Sequence, residues 1–245
     1  MDCSVIVPVY NNQATLKRVY KNITACFSSF QYTYEIVFID DGSTDLSFEE
    51  LLALKEEDNR VAIVRLQQNY NQSIAVLTGF EHASGKYIVT ISADLQEEEN
   101  LIHKLILFTQ QYPNADLIIG YRSTNSDFFI YKMLSRLFYK IIQLKIPQMP
   151  LRGFDTGIIS NDLKQKFILN YYEGIFIQAA FLQLAHQVQY VEYHRKKSAA
   201  TTFRLKSIYF KLTYFVTCIR SVYFPHQASR ASKKKKLYTV EKYLP

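Results

Sequence analysis

The sequence predicts an α/β domain with a mostly parallel, twisted sheet covered by helices on both faces, followed by a basic helical segment. Short apolar runs alternate with stretches whose apolar residues recur at helical spacing, which is typical of a parallel sheet. The chain of 245 residues is 48% hydrophobic and 21% charged, with 7 glycines and 6 prolines, so it can bury a large core. These proportions exclude collagen-like, low-complexity and small disulfide-stapled proteins.

Five strands and four helices are predicted in the first half of the chain. The strands are apolar runs at residues 4–9, 35–40, 61–66, 87–92 and 115–120. Apolar residues three and four positions apart predict helices over 16–27, from 47 onward, over 74–80 and over 101–108. Ser47 and Glu50 fit the capping box that opens a helix.

The charge of the chain is divided unevenly between its halves. Residues 1–120 carry 8 Lys and Arg against 16 Asp and Glu, or −8, whereas residues 121–245 carry 21 against 6, or +15. Acidic groups in the first half suit a metal, and the basic second half suits phosphates or anionic lipid. The alternative is that these charges only coat a solvated surface.

Cysteine usage and apolar segments bear on the cellular compartment. The three cysteines lie far apart and form no C-x-x-C pair, so the sequence predicts neither a disulfide framework nor a zinc site and favours a reducing cytoplasm. The N-terminus lacks a signal-peptide pattern. The longest apolar region, 208–224, is interrupted by Lys211 and Arg220 and falls short of the roughly 20 residues that span a bilayer.

Polar residues follow three of the predicted strands, where an open parallel sheet binds its ligands. They lie in residues 8–11, 40–45 and 92–96, and two of these three segments are acidic. Carboxylates gathered at one edge favour Mg²⁺ or Mn²⁺ bridging a diphosphate. An ordinary Asx turn over residues 40–43 is the alternative interpretation, and the presence of Asp94 and Gln96 favours the metal site.

The phosphate-binding glycine motifs of dinucleotide oxidoreductases and P-loop NTPases are absent from the sequence. What the sequence has instead resembles glycosyltransferase family 2 with its GT-A fold, and is most similar to the polyprenyl-phosphate sugar transferases, the group of dolichyl-phosphate mannose synthase. The resemblance spans about residues 3–122 and weakens through the second half. It rests on Val5-Ile6-Val7-Pro8-Val9-Tyr10-Asn11, Ile39-Asp40-Asp41-Gly42-Ser43-Thr44-Asp45, and Gly85-Lys86-Tyr87-Ile88-Val89 leading into Ala93-Asp94-Leu95-Gln96.

The resemblance implies a nucleotide site and a metal site. Asp94 stands at the second aspartate of the family's Asp-x-Asp and would act in catalysis as the ligand of Mg²⁺ or Mn²⁺, assisted by Gln96. Ser92 stands where the family usually has aspartate, and a hydroxyl is a weaker, neutral ligand. Asp41 would contact the base. The implied nucleotide-binding residues are Pro8, Tyr10, Asn11, Asp40 and Asp41.

The second half carries the implied acceptor residues. Asp155 and Glu173 are the candidate catalytic bases; the alternatives are a turn before a strand for the first and a helix-start surface charge for the second. The candidates for phosphate or acceptor binding are Arg122, Ser135, Arg195 and Thr201. On this basis residues 1–203 form the glycosyltransferase domain, with a nucleotide-binding half at 1–122 and an acceptor half at 123–203.

The resemblance implies an inverting glycosyltransferase that uses a UDP- or GDP-linked sugar and a lipid-linked or polysaccharide acceptor. A polyprenyl-phosphate acceptor and a non-catalytic nucleotide-sugar binding protein are the alternatives. Residues 204–245 form a basic amphipathic segment that either lies on a membrane or packs in the core. We therefore expect a cytoplasmic protein, peripheral at the inner face of the membrane, and no nucleic-acid partner.

Overall fold

The chain forms one mixed sheet between two layers of helices. The computed structural model describes residues 1–94, 100–122, 129–154, 156–193, 205–225 and 238–245. The strands are β1 (Cys3–Val9), β2 (Tyr34–Asp40), β3 (Val61–Leu66), β4 (Tyr87–Thr90), β5 (Leu117–Arg122), β6 (Thr156–Ser160), β7 (Val188–Tyr193) and β8 (Val240–Leu244). The helices are α1 (Gln13–Phe27), α2 (Ser47–Glu57), α3 (Gln72–His82), α4 (Leu101–Gln111), α5 (Phe129–Lys145), α6 (Asn161–Asn170), α7 (Ile177–Leu184) and α8 (Leu205–Tyr223).

The strand order across the sheet is β7-β5-β6-β4-β1-β2-β3-β8. Strand β1 pairs in parallel with β2 and β4, β2 pairs in parallel with β3, and β5 pairs in parallel with β7. Strand β6 runs antiparallel between β4 and β5, and β8 runs antiparallel to β3. The predicted fold class is confirmed, and the four parallel strands β1 to β4 end at one edge, where their loops meet.

Burial on both faces explains why β1 is apolar apart from Ser4. Side chains alternate between the faces of a strand, so Val5 and Val7 pack with Leu16 of α1 on one side. Ile6 packs with Phe80 of α3 on the other side. Because helices hold β1 from both faces, the position of its carboxyl end is fixed.

The predicted capping box at the start of α2 is wrong. Ser47 is the first helical residue, Leu46 precedes it, and no side chain caps the helix. The reason is that the Ser47 hydroxyl has another partner: its Oγ accepts a hydrogen bond from the Asn12 N–H at 2.9 Å. The Ser47 N–H donates to Asp45 Oδ1 at 2.9 Å. These contacts tie the loop after β1 to the loop after β2.

The C-terminal segment packs on the rest of the chain through both of its elements. Cys218 and Val222 of α8, together with Tyr238 before β8, belong to the core cluster that contains Ile6. Val216 of α8 is 65% exposed, so one face of this helix lies in the core and the other faces outward. No helix in the described part of the chain combines the length and apolarity needed to cross a bilayer.

Candidate active site

A cavity of about 400 Å³ opens where β1, β2, β3 and β4 end. Four loops that are distant in sequence form its walls, because parallel pairing brings their strand ends together. Its polar side chains are two carboxylates, four amides and the hydroxyls of Tyr10 and Ser92. The lining residues are Pro8, Val9, Tyr10, Asn12, Asp41, Asn69, Asn71, Gln72, Ala75, Ser92, Ala93 and Asp94.

Asp41 is the buried carboxylate of this cavity, with 3% of its surface exposed. Its Oδ1 accepts a hydrogen bond from the Tyr70 N–H at 2.7 Å, and its Oδ2 accepts one from the Asn71 N–H at 3.0 Å. Burial raises the pKa of Asp41, and the two backbone hydrogen bonds oppose that rise. Asp41 therefore holds the β3–α3 loop against the end of β2.

Asp40, predicted as a nucleotide contact, does not line the cavity. Its side chain is fully buried, its Oδ1 accepts a hydrogen bond from the Ser43 N–H at 3.0 Å, and its Oδ2 lies 3.4 Å from Arg65 Nε. Burial also raises the pKa of Asp40. Neighbouring residues of a strand point to opposite faces, so only one of the two aspartates reaches the cavity. We correct the role of Asp40 to support of the loop.

The two asparagines after β1, Asn11 and Asn12, have different roles, although the sequence predicted nucleotide binding only for the first. Asn11 has φ of 53°, and its Oδ1 accepts a hydrogen bond from the Thr44 N–H at 2.8 Å, so its side chain is engaged by the β2–α2 loop. Asn12 lines the cavity instead, and its Oδ1 accepts a hydrogen bond from the Tyr10 N–H at 3.1 Å. Tyr10 is 45% exposed, which leaves its ring available to a ligand.

Sequence reasoning missed the β3–α3 loop, which supplies Asn69, Asn71 and Gln72 to the cavity. Asn71 has φ of 88°, and its side chain accepts hydrogen bonds from the Ser73 and Ile74 N–H groups at the start of α3. The sequence did contain an indication of the role of this loop. The loop follows the third parallel strand, just as the recognised motifs follow the other parallel strands.

Gly42 brings the two loops together. Its φ is +67°, and a Cβ at this position would lie 2.5 Å from the backbone carbon of Gln68, so only glycine fits here. The close approach of the two backbones explains why the β2–α2 and β3–α3 loops share one cavity wall.

Asp94 lies at the exposed end of the cavity, after β4. Its N–H donates to Ser92 Oγ at 3.4 Å, and the preceding Ala93 carbonyl accepts a hydrogen bond from Thr15 Oγ1 at 2.6 Å. Thr15 belongs to the first turn of α1, so that helix fixes the backbone beside Asp94.

The oxygen atoms here fit a metal ion that arrives with a phosphate ligand. Asp94 supplies a carboxylate, and Mg²⁺ is commonly held by one or two carboxylates together with substrate phosphates. Within the described residues, no group of three Asp, Glu, His or Cys side chains could hold an ion by itself. Gln96, the predicted second ligand, lies outside the described residues.

The structure separates the residues that the sequence assigned to the acceptor. Glu173 lines a second cavity, of about 820 Å³, behind the first. Ser135 lies half-buried on α5 and is not among the described residues lining either cavity, and Arg122 is the last residue of β5. Asp155, Arg195 and Thr201 lie outside the described residues.

Comparison with known proteins gives the family. Residues 4–169 match the sequence model described as glycosyl transferase family 2. The chain belongs to glycosyl transferase family 2. Undecaprenyl-phosphate 4-deoxy-4-formamido-L-arabinose transferase of Salmonella paratyphi A is 35% identical over 141 residues, which are 57% of this chain and 42% of that protein. The chain spans less than half the length of this and two further curated relatives, both described as glycosyltransferases, with 42% to 47% of each covered.

Solved structures share the family 2 fold. Glucosyl-3-phosphoglycerate synthase from Mycobacterium tuberculosis in complex with UDP aligns with a TM-score of 0.63 and 16% identity, over 90% of this chain and 79% of that one. Mannosyltransferase PcManGT from Pyrobaculum calidifontis, in complex with GDP-Man and Mn²⁺, aligns with a TM-score of 0.61 and 15% identity, over 88% and 62%. The predicted family and its GT-A fold are confirmed.

The hydroxyl of Thr15 allows a test of how the backbone beside Asp94 is held. Thr15→Val removes the hydrogen bond to the Ala93 carbonyl, whose loss costs about 1 kcal/mol, or about fivefold in affinity. We expect this loss in the affinity for UDP or GDP measured calorimetrically with Mn²⁺, and no change without the metal. Thr15→Ser keeps the hydroxyl and should restore the wild-type value. An equal loss with and without Mn²⁺ would show that Thr15 only supports the fold.

Proposed function

We propose that this chain transfers a sugar, with inversion, from a nucleotide diphosphate-sugar to a lipid-linked or glycan acceptor in cell-surface glycan biosynthesis. The observation that carries the proposal is that Asp41 and Asp94 line one cavity at the carboxyl ends of β2 and β4. One of these carboxylates is buried and the other is exposed. This difference suits a site that holds the nucleotide base at its buried end and the diphosphate at its exposed end.

The walls of the cavity suit a nucleotide. The exposed ring of Tyr10 offers a surface for stacking on a base, with Pro8 beside it. Asn12 and Asn69 offer amide groups to polar atoms of the base or the ribose. UDP and GDP-mannose in the solved structures of similar fold support this class of ligand.

The metal belongs at the Asp94 end. Asp94, with Gln96, would hold Mg²⁺ or Mn²⁺, and when bound the ion would neutralise the charge that develops on the leaving diphosphate. Mn²⁺ bound with nucleotide-sugars in two similar structures supports a divalent ion. In this chain, Ser92 accepts a hydrogen bond from the Asp94 N–H and Thr15 donates one to the Ala93 carbonyl, so both fix the backbone that carries the carboxylate.

The acceptor decides whether the protein must supply a base. A phosphate acceptor is already an anion, whereas a hydroxyl acceptor needs Asp155 or Glu173 to take its proton. In support of Glu173, this residue lines the second cavity, which shares Asn71 and Gln72 with the first. The relative that acts on undecaprenyl phosphate supports a lipid-linked acceptor. Arg122, Arg195 and Thr201 remain our candidates for binding its phosphate, at the inner face of the membrane.

A thermal-shift panel tests the donor class. UDP, GDP and their sugars at about 100 times their dissociation constants should each, if bound, stabilise the native state by about 2.7 kcal/mol. We expect one nucleotide series to raise the melting temperature, and Mn²⁺ to increase that rise. No shift with any nucleotide, with or without Mn²⁺, would contradict the proposal.

A nucleotide-sugar binding protein without catalysis is the second candidate, because Ser92 replaces the aspartate expected at the site. Slow Mn²⁺-dependent hydrolysis of the bound nucleotide-sugar, followed by release of the free sugar, distinguishes the two. Hydrolysis supports the enzyme, and tight binding with no hydrolysis and no transfer supports the binding protein.

A further inference from the structure

The second cavity is larger and more apolar than the nucleotide cavity. It encloses about 820 Å³ between the sheet and helices α3, α7 and α8. Four phenylalanines line it together with aliphatic side chains of β4, β5 and β6. The phenylalanines are Phe80, Phe154, Phe176 and Phe181.

A void of this size and lining has room for an apolar ligand. Pockets that bind drug-sized molecules measure about 300 to 1,000 Å³ and are lined predominantly by apolar side chains. Among the described lining residues there is no lysine or arginine, and Glu173 is the single charged one. The interior therefore suits a neutral, apolar group and does not suit a phosphate.

The cavity connects two regions of different polarity. At one end it shares Asn71 and Gln72 with the nucleotide cavity. At the other end it is lined by Thr213 and Thr217, which lie one turn apart on the exposed part of α8. Leu212 and Val216 of the same helix are 44% and 65% exposed, so apolar surface adjoins this opening.

We propose that this cavity binds a hydrocarbon chain, namely the part of a lipid acceptor nearest its head group. The inference rests on the proposed function: with the chain in the cavity, the head group reaches the shared wall formed by Asn71 and Gln72, next to the donor. A chain that enters beside the exposed apolar residues of α8 meets a lining in which apolar surface outweighs polar surface. An isoprenoid and a straight alkyl chain share this chemistry.

The chain has no tryptophan, which makes a fluorescence test direct. Thr217→Trp introduces a single tryptophan at the opening, and Val216→Trp introduces one on the adjacent position, which does not line the cavity. The probe is 11-bromoundecanol, whose bromine quenches a nearby indole. We expect saturable quenching with Thr217→Trp and only weak, linear quenching with Val216→Trp. Iodide, as the control, should quench both equally because both positions are exposed.

Competition between the brominated probe and other alcohols identifies which kind of hydrocarbon chain the cavity prefers. Farnesol relieving the quenching at lower concentration than dodecanol would indicate an isoprenoid, and equal relief would indicate any alkyl chain; both outcomes support the proposal. Val76 lines the cavity from α3, and Val76→Phe should weaken probe binding at least tenfold while the affinity for UDP or GDP is unchanged. If that variant does not fold, Thr217→Phe blocks the opening in place of the interior, with displacement of a fluorescent fatty alcohol as the readout.

The possible failures are distinguishable. Absence of saturable quenching in a protein that still binds nucleotide would overturn the hydrocarbon site and leave the proposed function standing. The proposal would also be overturned if adding Val76→Phe to Thr217→Trp left the saturable quenching unchanged and Thr217→Phe left binding of the fluorescent fatty alcohol unchanged, because the probes would then bind elsewhere. Binding of the hydrocarbon probe without binding of a nucleotide would contradict the proposed function but not the hydrocarbon site.

Discussion

Asp94→Asn should lower kcat for sugar transfer by about 10²- to 10³-fold, because it removes the carboxylate that would hold the metal at the leaving diphosphate. The amide keeps the size of the side chain, and position 94 is exposed, so the melting temperature should not change. Mn²⁺ titration of transfer or donor hydrolysis measures the effect, and the increase in nucleotide affinity with Mn²⁺ should be lost in parallel.

Asp162→Asn is the matched control for Asp94→Asn. Asp162 is an exposed aspartate in the first turn of α6 and lines neither of the two described cavities. The control should keep both its rate and its Mn²⁺ dependence. A wild-type rate for Asp94→Asn at every Mn²⁺ concentration would remove the basis for placing the metal at this residue.

Asp41→Ala should destabilise the protein by about 2 to 4 kcal/mol and weaken nucleotide binding at least tenfold. The substitution leaves the Tyr70 and Asn71 N–H groups without their acceptor in part-buried surroundings, and a donor left unsatisfied away from water costs about 1 to 3 kcal/mol. Urea denaturation measures the loss of stability. Calorimetry, under conditions where the variant is folded, measures the loss of affinity.

The pH dependence of stability gives this prediction a second readout. Burial raises the pKa of Asp41 in the folded state. Between the pKa of the unfolded chain and this raised pKa, the folded protein keeps the carboxyl proton that the unfolded chain has lost. Stability from this group is therefore greatest at low pH and falls as pH rises from about 4 through the raised pKa. Asp41→Ala should reduce that fall.

Asp2→Ala is the control for Asp41→Ala at the opposite end of the same strands. Asp2 also accepts a backbone hydrogen bond, from the Thr33 N–H at 2.8 Å, but in exposed surroundings. Its loss should cost about 1 kcal/mol or less and leave nucleotide affinity unchanged. Equal nucleotide affinity in Asp41→Ala and wild type would remove Asp41 from the binding site.

The sequence predicted the first half of the fold well because local and global signals agree there. Strands β1 to β5 are apolar runs, and the helices between them have regular spacing. In contrast, β8 has the sequence Val-Glu-Lys-Tyr-Leu and pairs with β3, almost 180 residues earlier in the chain. Neither the short β6 nor β8 has a pattern that specifies a partner at such a distance.

At the candidate site, the sequence identified the loops better than the individual residues. It placed Asp41 and Asp94 at the correct edge, but it could not tell which of Asp40 and Asp41 turns toward the cavity. That choice depends on the facing of side chains at the end of β2 and on the burial of Asp40 beside Arg65. The position of the β3–α3 loop after a parallel strand was a usable signal, but no local pattern specifies the positive φ of Asn71 within it.

Strand β8 has a consequence for the behaviour of the protein in solution. It covers the outer side of β3, whose sequence Val-Ala-Ile-Val-Arg-Leu would otherwise offer unpaired amides to another molecule. Uncovered apolar strands of this kind promote aggregation, whereas the exposed Glu241 and Lys242 place opposite charges on the strand that takes the outer position. Solubility of the domain thus depends on five residues that line neither of the two described cavities.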